Sequence, residues 1–403
     1  MPAYFIDCHC HVFTIADIPV YRSICQFLGK FDKFHKRLLF PFAGLILAGT
    51  DLEGQAADYE KFLRFFEHEP GENVLQLASE AHQCVDGADS PFGGRTIVLT
   101  PLVMDFDLNG EVNKLNAQVD RLTGAIAAAG LDGSRMKVLP FLGVDPRRTN
   151  ALVRIDRYDS LKNRTSPVIL GNGSFIGVKL YPPLGFHAAA HLDFYRGLAE
   201  RQLPVTVHCQ KDSFRLTSDA DRYTDPANWE RVMKDPAVRD LRINFAHFGG
   251  EDGVMETVRF RERGPNEDGG YLWSYDGIDR DTWTYRIIRL LKAYPNTYAD
   301  VAAFDTGDPR AAAALVWLLH LDAAGEFKDE GDRPLADKLL WGTDYPMVLG
   351  DKETNYATIF NGFAAALRRR NHDYYEYPRE LQVDADALLE RMVAANPMRF
   401  LNV

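Results

Sequence analysis

The sequence has few cysteines, and their spacing excludes the two frameworks that cysteines most often build. Five cysteines, an odd number, are spread through 403 residues, and none belongs to a Cys-x-x-Cys pair. A disulfide framework and a zinc ribbon are therefore not expected. A basic leader is lacking too, because the first apolar run reaches Asp7 within the first few residues. We expect a protein of a reducing compartment and place it in the cytoplasm.

Long apolar runs and an excess of positive charge are also lacking. The most apolar stretch, residues 38–48, is interrupted by Pro41 and Gly44 and is too short to cross a bilayer. The formal net charge is -11, so a broad basic surface for nucleic acid or anionic lipid is not expected. We therefore expect a soluble enzyme of small-molecule metabolism, with no nucleic-acid or membrane partner.

Eight short apolar runs are present, and they alternate with helix-like segments. The runs cover residues 4–13, 96–104, 136–144, 175–181, 204–209, 242–246, 297–304 and 339–343. Continuous apolar runs are typical of strands buried on both faces, as in a parallel sheet with crossover helices. Eight such strands favour closure, so the sequence predicts an α/β fold, a (β/α)8 TIM barrel.

The chain shows no internal repeat, low-complexity tract or Ser/Pro-rich linker, which favours one barrel domain over residues 1–403. A long segment after the first strand, residues 14–95, has helical periodicity at residues 59–68 and 74–85. We interpret it as a helical insertion, a candidate lid or contact of a homo-oligomer. Extended loops are predicted after strands five and six.

The first strand ends in two histidines, His9 and His11, one residue apart. Side chains alternate along a strand, so both are expected on one face with Asp7, while Cys8 and Cys10 pack on the other. Two imidazoles about 7 Å apart can tilt onto one metal ion. A His-x-His pair also arises by chance in a half-buried strand, so the pair alone does not establish a site.

Further polar residues follow other predicted strands at their C-terminal ends, where (β/α)8 enzymes carry their active sites. They are Lys179 on strand four, His208 on five, His247 on six and Asp344 on eight. Taken singly, a strand-end histidine can be a hydrogen-bonded core residue, and Asp344 can be a turn residue. Together they would converge on the mouth that also holds His9 and His11.

This ordered set of motifs resembles the amidohydrolase superfamily, in the branch of aminocarboxymuconate-semialdehyde decarboxylase and related metal-dependent hydrolases. The matching pieces are Asp7-Cys8-His9-Cys10-His11, Gly177-Val178-Lys179-Leu180-Tyr181-Pro182, Val207-His208, Ala246-His247-Phe248-Gly249-Gly250, Tyr298-Ala299-Asp300, Gly342-Thr343-Asp344-Tyr345-Pro346 and Ala395-Asn396-Pro397-Met398-Arg399-Phe400-Leu401. The last piece is similar to the family's terminal Asn-Ala-x-Arg-x-Leu helix. The chain departs from the family in the long insertion and in the loops after strands five and six.

The resemblance implies that His9, His11, His208 and Asp344 hold a divalent metal, with His247 beside it. Three imidazoles and a carboxylate suit zinc. Asp344 would take a proton from the attacking water, and His247 would hydrogen-bond the substrate carbonyl or oxyanion. Lys179 matches the carboxylated lysine that bridges two metals in some amidohydrolases, yet its motif belongs to a branch that usually has one. One zinc ion is expected, and two remain an alternative.

The resemblance also implies a metal-dependent hydrolase acting on a C–O or C–N bond of a small carboxylated lactone, ester or amide. The alternatives are non-oxidative decarboxylation of an aromatic or muconate-like acid and, third, an inactive barrel that binds a ligand. Cationic loop residues could clamp a carboxylate or could be only solvated surface, and aromatic residues could form a wall. The cationic candidates are Lys211, Arg215 and Arg222, and the aromatic ones are Tyr181, Trp273 and Tyr345.

Overall fold

The structure is a computed structural model that describes residues 4–12, 70–88, 90–106, 112–131, 135–162, 171–211, 219–265, 271–304, 309–348, 354–369 and 383–403. Its strands are β1 (Tyr4–Cys10), β2 (Thr96–Pro101), β3 (Met136–Val138), β4 (Phe141–Gly143), β5 (Gly177–Leu180), β6 (Val205–Gln210), β7 (Ile243–Gly249), β8 (Val258–Pro265), β9 (Tyr271–Ile278), β10 (Thr297–Asp300) and β11 (Leu339–Leu340).

Helices follow or separate these strands. They are α1 (Pro70–Val85), α2 (Val112–Ala128), α3 (Ala151–Ile155), α4 (Asp159–Lys162), α5 (Leu192–Glu200), α6 (Ala220–Thr224), α7 (Ala227–Met233), α8 (Glu251–Thr257), α9 (Trp283–Ala293), α10 (Pro309–Ala323), α11 (Tyr356–Arg368), α12 (Ala385–Glu390) and α13 (Asn396–Leu401). A π-helical turn, Arg391–Ala395, joins the last two. None of the helices in the described part of the chain is long and apolar enough to span a membrane.

The parallel strands form a closed barrel. One sheet has the order β1-β2-β3 and the other β11-β10-β7-β6-β5-β4. Isolated parallel bridges, Cys10 with Tyr345 and Leu102 with Phe141, join the two sheets at both edges. The predicted third strand is divided into β3 and β4 around Pro140, which has no N–H for the ladder. Eight strand positions result, and the predicted (β/α)8 barrel is confirmed.

Two apolar clusters lie on the two sides of the barrel wall. The larger cluster lies between strands and helices, as in the contacts of Phe5 with Phe92 and Phe360. The smaller one joins side chains of β1, β2, β4, β10 and β11, which lie on different sides of the barrel, so it fills part of the interior. It includes Ile6, Cys8, Val98, Phe141, Tyr298, Leu340 and Phe400. Because α13 supplies Phe400 to this cluster, the C-terminal helix packs against the apolar interior of the barrel.

Strict alternation along β1 was a wrong prediction. The register of β1 with β2 shifts between Asp7 and Cys10, which marks a bulge that re-aims side chains. Cys8 belongs to the interior cluster and Cys10 to the outer one, so the two cysteines do not share a face. Asp7 is fully buried, and it accepts hydrogen bonds from the hydroxyls of Thr343 (2.7 Å) and Tyr356 of α11 (3.0 Å). Asp7 therefore faces α11, and not the group around His9.

The insertions differ from expectation in one place. After β7 and α8 the chain forms an antiparallel hairpin of β8 and β9, where an extended loop was predicted. Tyr275 of this hairpin stacks on Trp317 of α10 with ring centroids 5.0 Å apart. In the predicted helical insertion, α1 covers the second helical segment, and residues 59–68 lie outside the described residues.

Candidate metal centre

Three side chains from the two ends of the chain meet at the mouth of the barrel. His9 and His11, at the end of β1, have ring centroids 5.4 Å apart. Oδ1 of Asp344, just after β11, lies 3.2 Å from Nε2 of His9 and 3.2 Å from Nε2 of His11. All three residues are buried or nearly so, and their ligand atoms lie within 4.8 Å of one another. Two imidazole nitrogens and a carboxylate oxygen form a donor set that suits a zinc-like divalent ion.

Each of the two histidines is oriented by a hydrogen bond at Nδ1, which leaves Nε2 to face Asp344. Nδ1 of His11 lies 3.1 Å from the carbonyl oxygen of Leu102, and Nδ1 of His9 lies 3.0 Å from Oδ2 of Asp300. A carbonyl or a carboxylate only accepts, so both Nδ1 atoms carry a proton, and each ring in its neutral form has its lone pair on Nε2. Nε2 of His9 is buried without a hydrogen-bond partner among the described residues, which fits a ligand atom for a metal.

Asp300, at the end of β10, bonds to Nδ1 of His9, the ring nitrogen that does not face Asp344. Its Oδ2 accepts from His9 Nδ1 and from the amide of Asn244 (2.6 Å). Its Oδ1 accepts from the backbone N–H groups of His247 (2.9 Å) and Ala302 (3.2 Å). Sequence reasoning quoted Asp300 in a motif but assigned it no role. The predicted seventh strand, residues 297–304, continued past Asp300, whereas β10 ends at it.

His208 and His247 form a second pair beside His9. Nδ1 of His247 lies 3.2 Å from the carbonyl oxygen of Ala302, so Nδ1 carries the proton and Nε2 the lone pair. Nε2 of His247 lies 3.2 Å from Nδ1 of His208, which must be the donor. The lone pair of His208 is therefore on its Nε2. The ring of His247 lies 4.6 Å from that of His9, so the four predicted histidines come together.

The backbone at these strand ends adopts a conformation that side chains rarely tolerate. His247, Phe248, Ala303 and Asp344 have φ of 66°, 51°, 63° and 59°. Left-handed backbone costs roughly 1–2 kcal/mol per non-glycine residue, and such residues concentrate at functional sites. The fold thus accepts local strain at the ends of β7, β10 and β11, where His247 and Asp344 enter the site.

Burial and neighbouring charges set the protonation of the group. Burial lowers the pKa of His11, of His208 strongly, and of His247 to about 4, so these imidazoles are neutral near pH 7. Burial raises the pKa of Asp344, but the neighbouring His11 and His9 side chains outweigh it and hold the pKa well below its ordinary value. Neutral imidazoles and an ionised carboxylate are the protonation states that metal binding requires.

Lys179 of β5 is buried, and its register places it inside the barrel. It pairs with Thr206 of β6, which pairs with Asn244 of β7. Its Nζ has no hydrogen-bond partner among the described residues. Burial lowers the pKa of Lys179 to about 8, although the carboxylates of Asp300 and Asp344 act in the opposite direction.

A second group of three potential ligands, His9, His247 and Asp300, lies within the same distance limit. Its atoms already have other partners: Asp300 accepts four hydrogen bonds, and His247 bonds to Ala302 and His208. His9 belongs to both groups, but its unpartnered Nε2 faces Asp344 of the first group, whereas its Nδ1 is bonded to Asp300 of the second. The donor atoms therefore fit one ion better than two.

The predicted substrate-binding residues are distributed differently. The ring of Tyr181 lies 4.9 Å from that of His208, at the site. Tyr345 is fully buried, and its hydroxyl bonds to Gln76 and Glu80 of α1, on the far side from the barrel interior.

Two of the three predicted cationic clamps, Lys211 and Arg222, belong to the described residues, and both lie at the surface. Lys211 is half exposed and lies 3.8 Å from Glu256, and Arg222 is exposed. Arg215 lies outside the described residues, as does the side chain of Trp273. A clamp role for Lys211, Arg215 and Arg222, and a place for Trp273 in an aromatic wall, stay predictions.

Comparison with solved structures supports the fold. No protein-family model and no curated protein matches the sequence. The 5-carboxyvanillate decarboxylase of Novosphingobium aromaticivorans, complexed with manganese and 4-hydroxy-3-methoxy-5-nitrobenzoic acid, matches with a TM-score of 0.50 and 12% identity, over 99% of this chain and 96% of that one.

Two further structures match less closely in shape. One is a probable 2-pyrone-4,6-dicarboxylic acid hydrolase of Acinetobacter baumannii with citric acid bound (TM-score 0.47, 15% identity, 99% of both chains). The other is an amidohydrolase of Burkholderia multivorans with bound zinc (TM-score 0.43, 14% identity, 83% of this chain and 92% of that one). The likeness to the decarboxylase shows the fold of the chain, the barrel that the sequence predicted.

Proposed function

We propose that the chain is a metal-dependent hydrolase of the amidohydrolase superfamily that cleaves a C–O or C–N bond of a small acid. The observation that carries this proposal is the position of Asp344 Oδ1, 3.2 Å from Nε2 of both His9 and His11. These three atoms, with His208 as the fourth ligand, would hold one divalent ion, for which we favour zinc. When bound, such an ion lowers the pKa of water towards neutrality and polarises a carbonyl.

The residues around the ligands would handle the proton. Asp344 is ionised and stands at the mouth, so it can accept a proton from the attacking water and return it to the leaving group. His247 has its N–H committed to Ala302, so the neutral ring presents a lone pair at Nε2. It can hydrogen-bond an oxyanion only after it has taken up a proton, and its pKa of about 4 opposes this. We therefore assign the proton transfer to Asp344 and the orientation of His208 to His247.

Non-oxidative decarboxylation is the second candidate, because it would use nearly the same ligand set. Both reactions need a small acid beside the ion and a proton carrier. The two reactions differ in their products, since hydrolysis opens a lactone or splits an ester or amide, whereas decarboxylation releases carbon dioxide.

The test is to load the purified chain with zinc or manganese and to incubate it with lactones, esters and amides of small acids and with aromatic carboxylates. We expect ring opening or acid release with zinc. Carbon dioxide release without hydrolysis would replace the hydrolase proposal with the decarboxylase. His208→Ala and Asp344→Asn should both lose turnover and bound metal.

Two measurements keep this test specific. His82→Ala removes an exposed histidine of α1 and should leave turnover and metal content as in the wild type. Elemental analysis should give about one ion per chain, and a value near two would contradict the single-ion site. Unchanged metal content in His208→Ala and Asp344→Asn would contradict the proposed ligand set.

A further inference from the structure

Lys179 lies in a layer of polar side chains directly beneath the metal ligands. The parallel register connects Lys179 to Thr206 and Thr206 to Asn244 across three neighbouring strands. Thr206 precedes the ligand His208 by two residues on β6, so this layer is about 7 Å deeper in the barrel. Asn244 in turn bonds to Asp300, which holds His9. A long side chain that starts in this layer reaches up to the floor of the site.

The ammonium group of Lys179 is buried without an acceptor among the described residues. Only 2% of the residue is exposed, and Nζ has no hydrogen-bond partner there. Asp300 and Asp344 attract it electrostatically, but Asp300 already accepts four hydrogen bonds and Oδ1 of Asp344 faces His9 and His11. A buried ammonium without acceptors is costly, so such groups are normally paired with an anion.

Charge balance points to an anion as well. The buried group contains two carboxylates, Asp300 and Asp344, and one ammonium, Lys179, and its histidines would be neutral as ligands of an ion. A divalent ion would leave the group with a net charge of +1 in a medium of low dielectric constant. One negative charge on a ligand restores neutrality, and the ion's own charge must be counted in such a site.

We propose that Lys179 anchors a carboxylate of the substrate at the floor of the site. This inference rests on the proposed function. It narrows the substrate to an acid with a carboxylate that is not part of the cleaved bond. The rest of the substrate would lie against an apolar wall beside His208, formed by Met104, Phe106, Tyr181 and Leu184.

The test separates an anchor from a metal-bridging lysine. Malonate, succinate, glutarate and isophthalate are titrated into the zinc-loaded protein by calorimetry, each beside its own monoamide, for wild type and Lys179→Met. We expect at least one dicarboxylate to bind wild type about 10- to 100-fold more tightly than its monoamide, as for a charge-assisted hydrogen bond. This preference should disappear in Lys179→Met, and zinc content and zinc affinity should not change.

The outcomes are distinct. A carboxylate preference that persists in Lys179→Met, or that is missing in the wild type for all four acids, overturns the anchor. Loss of zinc from Lys179→Met also overturns it and assigns the lysine to metal binding. Lys234→Met, which removes an exposed lysine at the C-terminal end of α7, is the matched control and should keep the preference. Binding is measured without turnover, so the anchor can stand even if no hydrolysis is found.

Discussion

Asp300 supplies the site with a fixed orientation of His9 that the metal ligands cannot supply themselves. Its two oxygens accept four hydrogen bonds from His9, Asn244, His247 and Ala302. Burial raises the pKa of Asp300, but its interactions with His9 and His247 outweigh this and lower the pKa, so the group stays ionised. A carboxylate behind a metal-binding histidine fixes its tautomer and strengthens it as a ligand.

Asp300→Asn should therefore weaken metal binding without removing any proposed ligand. We expect the zinc dissociation constant to rise about 10- to 100-fold, measured by competition with a chromophoric chelator. Asp322→Asn is the control, because Asp322 is another buried carboxylate, paired with Lys292 away from the histidines. An unchanged dissociation constant in Asp300→Asn would show that metal binding by His9 does not depend on its hydrogen bond with a carboxylate.

The sequence predicted the residues that could bind a metal, but not Asp300, which orients one of them. His9, His11, His208, His247, Lys179 and Asp344 were all located by one rule, that polar residues at strand ends face the mouth. The rule missed Asp300, because the predicted seventh strand, residues 297–304, continued past the point where β10 ends. Which of these residues bind an ion and which orient another residue depends on hydrogen bonds, and the spacing of residues along the chain does not determine those.

Lys338 lies at the opposite end of β11 from Asp344, and its burial predicts how the stability of the fold depends on pH. Burial, followed by the charges of Arg333 and Arg399, lowers its pKa to about 8 from an ordinary value of 10.5. The unfolded chain then binds more protons than the folded chain between these values, so Lys338 makes stability rise with pH across that window. Lys338→Met should lack this rise in urea denaturation. The exposed-lysine variant Lys211→Met should follow the wild type, and parallel curves for wild type and Lys338→Met would refute the assignment.

At the scale of elements, the bulge in β1 decides which side chains reach the mouth. Asp7 turns outward to Thr343 and Tyr356, and His9 turns inward. Periodicity alone placed Asp7 beside the histidines, because a single inserted residue that reverses the alternation leaves no mark in the pattern. The β8–β9 hairpin was missed for another reason: its short alternation in Val258–Pro265 lay between stronger signals.

Tyr356→Phe tests the contact that holds this bulge against α11. The hydroxyl donates to Asp7, which is fully buried, so water cannot readily replace the lost donor. We expect the free energy of unfolding to fall by about 1–3 kcal/mol, measured by urea denaturation. Tyr285→Phe is the matched control, since its hydroxyl donates to the partly exposed Glu330, and it should cost about 1 kcal/mol or less. Equal losses in both variants would mean that the burial of Asp7 does not increase the contribution of its hydrogen bond to stability.

For the molecule as a whole, the proposed metal ligands lie across the seam where the barrel closes. Strand β1 and the segment after β11 are joined by backbone hydrogen bonds from Cys8 to Trp341 (3.0 Å), His11 to Tyr345 (2.6 Å) and Asp344 to His9 (2.7 Å). His9 and His11 lie on one side of this seam and Asp344 on the other. An ion held by all three would link the first and last strands of the barrel, which are more than three hundred residues apart in the chain.

Zinc should therefore stabilise the seam more than distant parts of the molecule, which hydrogen exchange can measure. Opening of the seam must release the ion, so at a free zinc concentration of about 100 times the dissociation constant the amides of His11 and Asp344 should exchange about 100-fold more slowly than in chelator-treated protein. Amides of the β8–β9 hairpin, which packs on α10 and contains none of the ligands, serve as the internal control. If zinc slows both regions equally, the ion acts on global unfolding alone. If it slows neither, the three side chains do not hold an ion across the seam.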